Sequence, residues 1–463
     1  MLRKIEVLER QISLLIHENK ALKHRLNLTS ENSHKPPSSD GLLRKNISNR
    51  ESTGNKPGGV KGHKGNTLLQ VQNPHETIKH TTPIVCEKCG ADITNVEVQK
   101  IEKRQVFDVV ILPNIVEHQI EVKVCACGCR NKGEFPKNVK AYAQYGELIK
   151  TTALFLSQNF VSYDRITDFI GNIFGMPISD SAILNMESEV SKNLEDYIGA
   201  LKQKVISSNV IHMDETGVRV DGKTWWLHSQ STETETVLEI REKRACAEEQ
   251  INGIVIHDGY LSYYKRLPNN THALCGAHLL RDLKALFVGK EEKDQEPWAI
   301  EMHDLLKEMC LFKNLDKNCN DPPVIDHEMM KLKKIKNFED RYDLIVEKAI
   351  NFHKNLEPIP RKHNSGGKVA KRRGENLALR FLKYKQDILR FLYNEAVPFT
   401  NNQAERDIRM AKVQQKVSGC FRKIEGAKNF SNIWSYLSTM NKRGLNTFES
   451  LRNAIRDNPV FST

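Results

Sequence analysis

Between residues 205 and 275 the chain leaves helical spacing for a series of short apolar runs. This switch limits the fold more than any other feature. Val205–Met213, Thr224–His228, Thr236–Arg241, Gly253–His257 and His272–Cys275 read as five strands. Asp221-Gly222, between the first two, is a two-residue hairpin turn, because both residue types tolerate the positive φ that such turns need. Helical periodicity flanks this block over 143–203 and again over 285–395. A sheet clothed by helices, α+β or α/β in class, is therefore expected, with other domains before it.

The strand block also carries acidic residues where strands stop. Asp214 follows the first run, with Gly217 opening the turn expected beyond it, and Asp258-Gly259 ends the fourth. Side chains alternate along a strand, so Asp214 and Glu215 cannot face one site together. Two carboxylates at adjacent strand ends repel one another unless a cation joins them, and hard oxygen ligands suit Mg²⁺ or Mn²⁺. An Asp at a strand end also serves ordinary turns. A third carboxylate, Glu405, lies in Pro398-Phe-Thr-Asn-Asn-Gln-Ala-Glu-Arg406. Glu405 is three residues after Asn402, which fits a capping box at a helix start. It also heads a stripe, Arg409, Lys412 and Lys416, at helical spacing, where a metal ligand would lie beside phosphate contacts. Spacing alone leaves both readings open.

Ten cysteines are present, and five fall between residues 86 and 129. Cys86-Glu-Lys-Cys89-Gly and Cys125-Ala-Cys127-Gly-Cys129 read as two knuckles of one structural Cys₄ zinc site. Cys125 and Cys127 are preferred because Gly128 follows Cys127 as Gly90 follows Cys89, with Cys129 the alternate. Short β-like runs, Gln105–Leu112 and Glu117–Val124, separate the knuckles.

At the N-terminus Ile5, Leu8, Ile12, Leu15, Asn19, Leu22 and Leu26 advance by alternating steps of three and four. Ile at a, Leu at d and Asn19 at an a position fit a parallel two-stranded coiled coil, hence a homodimer. A single packed amphipathic helix is the plainer reading. Residues 29–69 are rich in Ser, Asn, Lys, Pro and Gly and read as a flexible basic linker. Lys plus Arg number 70 against 58 Asp plus Glu, a net charge of +12, which suits a polyanionic partner. The run 361–390 holds ten Lys/Arg against two Asp/Glu and is expected to touch a phosphate backbone, with Lys371, Arg372 and Arg373 at its centre. No apolar stretch approaches the length of a membrane span and no signal-peptide core opens the chain, so a cytoplasmic protein without membrane contact is expected.

Together these stretches resemble the bacterial DDE transposases of the insertion-sequence-66 type. The resemblance is carried by Asn32-Ser-His-Lys-Pro-Pro-Ser-Ser-Asp-Gly41, Phe135-Pro136, Gln144-Tyr-Gly146, Leu156-Ser-Gln158, Met213-Asp-Glu-Thr216, Asp258-Gly-Tyr260, Cys275-Gly-Ala-His278, Pro398–Arg406 and Lys412-Val-Gln-Gln-Lys-Val-Ser-Gly419. It implies an RNase H-like core in which Asp214, Asp258 and Glu405 hold two Mg²⁺ (or Mn²⁺) ions, with a helical insertion before the Glu helix. It implies binding to double-stranded DNA at element ends and target, then strand cleavage and strand transfer. Cys275 and His278 resemble a motif that supports such sites, two ligands being too few for a second zinc site. Arg281, one turn on, is expected near phosphate. An RNase H-like nuclease without strand transfer and a non-catalytic DNA-binding regulator are the alternatives.

The organisation expected is multidomain. It comprises a coiled coil (1–28), a linker (29–69), a zinc-binding module (70–140) and a helical domain that is a candidate for DNA binding (141–204). The catalytic domain (205–425) follows, with its helical insertion at 285–395, and a C-terminal helical segment (426–463) ends the chain.

Overall fold

The computed structural model describes residues 8–9, 11–12, 15–16, 19, 22, 68–245, 250–288, 290, 294–317, 325–359 and 370–460. Residues 29–67 of the linker and 361–369 of the basic run lie outside the described residues. The chain divides into two units, Asn46–His118 and Met1–Lys45 with Gln119–Thr463.

In the smaller unit a bridge between Val85 and Asp92 closes a turn around the first knuckle. Gly90 donates its N–H to the Cys86 carbonyl at 2.9 Å, with φ of +73°. The Gln105 side chain bonds both backbone groups of Val71, at 2.8 Å each. Gln105–Leu112, expected as a strand, is not one, and Val106, Val109 and Leu112 are exposed. A strand needs a neighbour's backbone, and among the described residues none pairs with this run.

The larger unit's described N-terminal residues are helical, and Leu8, Ile12, Leu15 and Leu22 of the heptad seam are each more than half exposed. Of the run Glu117–Val124, only β1 (Val122–Val124) is strand. It pairs antiparallel with β2 (Arg130–Lys132) around the second knuckle. Four helices follow: α1 (Glu147–Gln158), α2 (Tyr163–Phe174), α3 (Asp180–Asn193) and α4 (Glu195–Ile206). Ser179 caps α3 by accepting from Ala182 N, and Gly175, at φ +66°, ends α2. Ile149, Ala153, Ile166, Ile170 and Ile183 pack the first three helices together. Val205 belongs to α4 and not to the first strand, and its side chain is buried in the core that α4 shares with Ile211 and Met213.

The main sheet holds β3 (Val210–Val220), β4 (Lys223–Ser231), β5 (Thr236–Arg241), β6 (Ile254–His257) and β7 (His272–Leu274). Their order is β5-β4-β3-β6-β7. β3, β4 and β5 run antiparallel in a meander, while β6 and β7 run parallel to β3. Asp221 (φ +48°) and Gly222 (φ +70°) make the two-residue turn between Val220 and Lys223, as their residue types require. Gly217 does not open a turn. It pairs with Trp226, so β3 runs on past Asp214. The short helix α5 (Leu261–Arg266) joins β6 to β7.

Helices α6 (Gly276–Lys284), α7 (Pro297–Lys317), α8 (Ile325–Lys354), α9 (Arg373–Lys383) and α10 (Lys385–Tyr393) follow β7. They share a core with Ile256 and Leu274 of the sheet through residues such as Trp298, Phe338, Tyr342 and Phe381. The chain then returns as α11 (Asn402–Ser418), α12 (Ile424–Lys442) and α13 (Thr447–Ile455).

Both sheet edges are closed by side chains. On β5, Thr236 N donates to Thr439 Oγ1 at 3.1 Å and Leu238 N to Ser435 Oγ at 2.8 Å, both acceptors lying on α12. On β7, the His272 carbonyl accepts from Arg390 Nε of α10 at 2.6 Å. Edge backbone groups that would otherwise recruit another strand are thus satisfied internally.

The two sheet faces hold different helices. Ile211 and Met213 of β3 join the core made with α4, α12 and α13, whereas Val218 and Val220 join Ile408 and Ala411 of α11. Strand alternation puts Asp214 on the face of Val218 and Val220, the one that α11 covers, and Glu215 on the other.

Candidate active site

Asp214 lies on β3, and its neighbour β6 ends one residue before Asp258. The register pairs His212 with Ile256, so two residues further along the parallel strands Asp214 comes level with Asp258. Asp214 Oδ1 accepts from Glu215 N at 2.9 Å, and Asp258 Oδ1 from Tyr260 N at 2.8 Å. Burial pushes the Asp214 carboxyl well above the usual range. The charges of Glu215, Asp258 and Glu405 push it the same way.

Glu405 is in the first turn of α11. The helix begins after Asn401, not Asn402, and Asn401 makes no side-chain cap bond. Glu405 is therefore four residues past the cap, and a capping box would need the position of Ala404. The capping reading fails for a second reason: Glu405 Oε1 is buried and accepts no hydrogen bond.

Asn401, which sequence reasoning missed, holds the two halves of this site together. It is 1% exposed. Its Nδ2 donates to the Met213 carbonyl at 2.7 Å, its Oδ1 meets His212 Nδ1 at 2.8 Å, and its backbone N donates to Cys275 Sγ at 3.1 Å. Next to it, Gly276 N donates to the Phe399 carbonyl at 2.8 Å. A Cβ on Gly276 would collide with the Phe399 ring, so this position admits no side chain. Asp407 anchors the same helix. It accepts from Ser231 Oγ (2.6 Å), Thr236 Oγ1 (3.0 Å) and Lys442 Nζ (2.7 Å).

Beneath Asp258 two buried histidines form a chain of fixed direction. Gly259 N–H donates to His257 Nδ1 at 3.0 Å, so His257 Nε2 carries the proton and donates to His272 Nδ1 at 3.1 Å. His272 Nε2 then donates to the Leu267 carbonyl at 2.9 Å. Burial, with the field of His272, pushes His257 down to about 3, so the ring is neutral.

Glu215 is turned away from Asp214, as alternation requires. It accepts from Arg244 Nε at 2.9 Å and Tyr263 OH at 2.5 Å. The Arg244 guanidinium lies 4.2 Å from the Tyr260 ring centre and 5.0 Å from that of Trp226. Neither partner of Glu215 was legible in the sequence, since Arg244 and Tyr263 come from a loop and a helix with no motif of their own.

Cys275 precedes α6 and His278 stands in its first turn. His278 Nδ1 is 3.5 Å from Glu405 Oε1. One donor atom from each of Cys275, His278 and Glu405 lies within 4.8 Å of the others, and among the described residues no other group of three or more His, Cys, Asp or Glu is as close. Asp214, Asp258 and Glu405 are thus not all within that span. Their fit to divalent cations rests on donor chemistry: hard oxygens, mutual repulsion at Asp214 and an unpaired buried oxygen on Glu405.

The Transposase IS66 family matches residues 148–429, which takes in the sheet, the insertion and α11. The chain belongs to that family. Residues 2–68 match a family of unknown function (DUF6444). A comparison with curated proteins returned no match. Membership of the transposase family implies binding to DNA and its cleavage.

The remaining expected residues of the transposase divide between exposed and engaged ones. Arg409 and Lys416 are exposed on α11, while Lys412 donates to the Gly217 carbonyl of β3. Arg281 is partly exposed on α6, one turn past His278. Lys371 pairs with Glu375 at 3.4 Å, and Arg372 donates to the Glu357 carbonyl at 2.6 Å. Arg373 joins Arg380 on Asp282, locking α9 to α6.

Each knuckle has a tight turn of its own. Gly128, at φ +83°, donates to the Cys125 carbonyl at 2.8 Å. Backbone N–H groups directed at the sulfurs hold the Cys86 and Cys125 thiols below their usual range, through Cys89 and Lys88 in one and through Cys127 in the other. No helix among the described residues is long and apolar enough to cross a membrane.

Proposed function

We propose that this transposase binds the ends of an insertion sequence and carries out metal-dependent strand cleavage and strand transfer in an RNase H-like core. The observation that carries the reading is the charge cluster at Asp214. Beside the stronger push of Glu215, Asp258 and Glu405, from a neighbouring strand end and a separate helix, act on one buried carboxylate that the strand register sets level with Asp258. The sheet order β5-β4-β3-β6-β7, a meander followed by two parallel strands, supports the RNase H-like assignment.

Asp214, Asp258 and Glu405 would hold two Mg²⁺ (or Mn²⁺) ions, which supply Lewis-acid activation of the attacking oxygen and stabilise the leaving one. The protein's own part is placement. Asn401 and Asp407 fix α11 against β3 and β4, so Glu405 is presented without rearrangement. The His257–His272 chain braces the Asp258 turn. Arg409 and Lys416 project from the helix that bears Glu405, where phosphates beside the reacting bond would pass.

The knuckle cysteines, Cys86 and Cys89 in one and Cys125 and Cys127 in the other, are of the ligand type that suits structural Zn²⁺. The exposed seam Leu8, Ile12, Leu15 and Leu22 would pair with a second copy as a coiled coil. The site of action is the cytoplasm, where double-stranded DNA supplies both element ends and target.

The test uses the purified chain and DNA bearing the inverted repeats that flank its reading frame. Mg²⁺-dependent cutting at those ends, joining to a target, and loss of both in Asp214→Asn are expected. Cutting without joining would instead assign a nuclease, and binding without cutting a regulator.

A further inference from the structure

We propose that Cys275, His278 and Glu405 form a second metal site, selective for a soft divalent cation such as Zn²⁺, and that filling it withdraws Glu405 from the Mg²⁺ site. The binding half stands on geometry alone. The inhibitory half rests on the role proposed above for Glu405.

The Cys-x-x-His spacing at the start of α6 sets both side chains on one side of its first turn. Two ligands are too few for a site, and a Cys-x-x-His pair alone reads as packing. The fold supplies the third from α11. The three donor atoms lie within 4.8 Å of one another, and His278 Nδ1 to Glu405 Oε1 is 3.5 Å. Zinc–ligand bonds of about 2.0–2.3 Å at tetrahedral angles separate neighbouring ligands by roughly 3.3–3.6 Å. The observed gap is long for a hydrogen bond and right for two ligands of one ion.

The second observation is the Glu405 oxygen itself, buried and without a hydrogen-bond partner. Such an atom is costly to leave bare and calls for a cation. The third is the setting of the sulfur. Asn401 N–H points at Cys275 Sγ, the kind of outer contact that steadies a metal-bound thiolate.

Ligand type then separates the two metals. Mg²⁺ takes oxygen and ignores sulfur, whereas a thiolate with an imidazole and a carboxylate suits zinc and leaves a fourth position open. Zinc takes the place of the thiol proton on Cys275 Sγ, and that proton leaves to solvent. Glu405 cannot serve both ions at once. Zinc would hold the enzyme uncommitted while Mg²⁺ is present.

The experiment titrates Zn²⁺ into the full chain against a chromophoric chelator, in wild type, Cys275→Ser and His278→Ala. The knuckle cysteines are identical in all three and cancel. Wild type is expected to bind one equivalent more tightly than either variant, by more than the roughly 10–100-fold that losing an outer contact costs. Co²⁺ in place of zinc should show a thiolate charge-transfer component that Cys275→Ser lacks. Equal stoichiometry and affinity in the three proteins would overturn the site. His278→Ala keeps the test decisive if the serine variant does not fold. Zinc should also slow Mg²⁺-dependent DNA cleavage by wild type more than by Cys275→Ser, each against its own zinc-free rate. Zinc binding lost in both variants, with wild-type cleavage untouched by zinc, would overturn the coupling and remove Glu405 from the reaction while leaving the binding result intact.

Discussion

Asn401 Nδ2 donates to the Met213 carbonyl at 2.7 Å, tying the start of the Glu405 helix to the strand that carries Asp214. Replacing Asn401 with Ala leaves that carbonyl and His212 Nδ1 without their partner in a dry interior. A loss of about 2–4 kcal/mol in unfolding free energy is expected, measured by denaturant titration. DNA cleavage should fall at temperatures where the variant is still folded.

Glu405 and Asp214 separate catalysis from stability. Because Glu405 caps nothing, Glu405→Gln should melt within about 0.5 kcal/mol of wild type yet fail to cut DNA. Asp214→Asn removes a charge that Glu215, Asp258 and Glu405 all oppose, and should raise the melting temperature in metal-free buffer. A metal-free Asp214→Asn protein that melts below wild type would count against the crowding of charge described here.

Glu187 gives the pH test. It is buried in α3, accepts from Ser157 Oγ at 2.5 Å and Tyr163 OH at 2.9 Å, and burial raises its carboxyl above the usual range. The folded form therefore holds a proton that the unfolded chain releases. Its contribution is full below the ordinary carboxyl range and is lost as pH rises through the raised folded value. Glu187→Gln should stabilise the protein at pH 8 more than at pH 5 in paired thermal melts.

The basic run requires its members to be changed one at a time. Lys371 makes one exposed ion pair, so Lys371→Ala should leave stability within about 0.5 kcal/mol and, if it meets phosphate, lower the salt slope of DNA binding by about one. Asp282 joins Arg373 and Arg380, and Asp282→Ala should cost about 1.5–3 kcal/mol by freeing α9 from α6. An unchanged salt slope in Lys371→Ala would assign that lysine to ordinary solvated surface.

The N-terminal seam predicts oligomeric state. Leu15 is 64% exposed on its helix, so Leu15→Lys should not disturb the core. Light scattering should find wild type at twice the mass of the variant. Equal masses would mean that this seam does not assemble the protein.

What the sequence determined by itself was local. Five strands could be read from short β-branched and aromatic runs, and the β3–β4 turn from Asp221-Gly222, because a two-residue hairpin accepts few residue types. Gln105–Leu112 looked equally strand-like but has no partner, since pairing is a property of two segments and not of one. Alternation along β3 predicted that Asp214 and Glu215 would part, and they do. The tertiary structure alone decided which face α11 covers, and with it that Glu405 acts on Asp214 and not as a cap. It also decided that a buried amide, Asn401, bonds residues nearly two hundred positions away. It set Cys275 and His278 beside a glutamate from another helix. Such contacts leave no periodicity, because each is a single polar group satisfied across the core, and the fold supplies its partner from any distance along the chain.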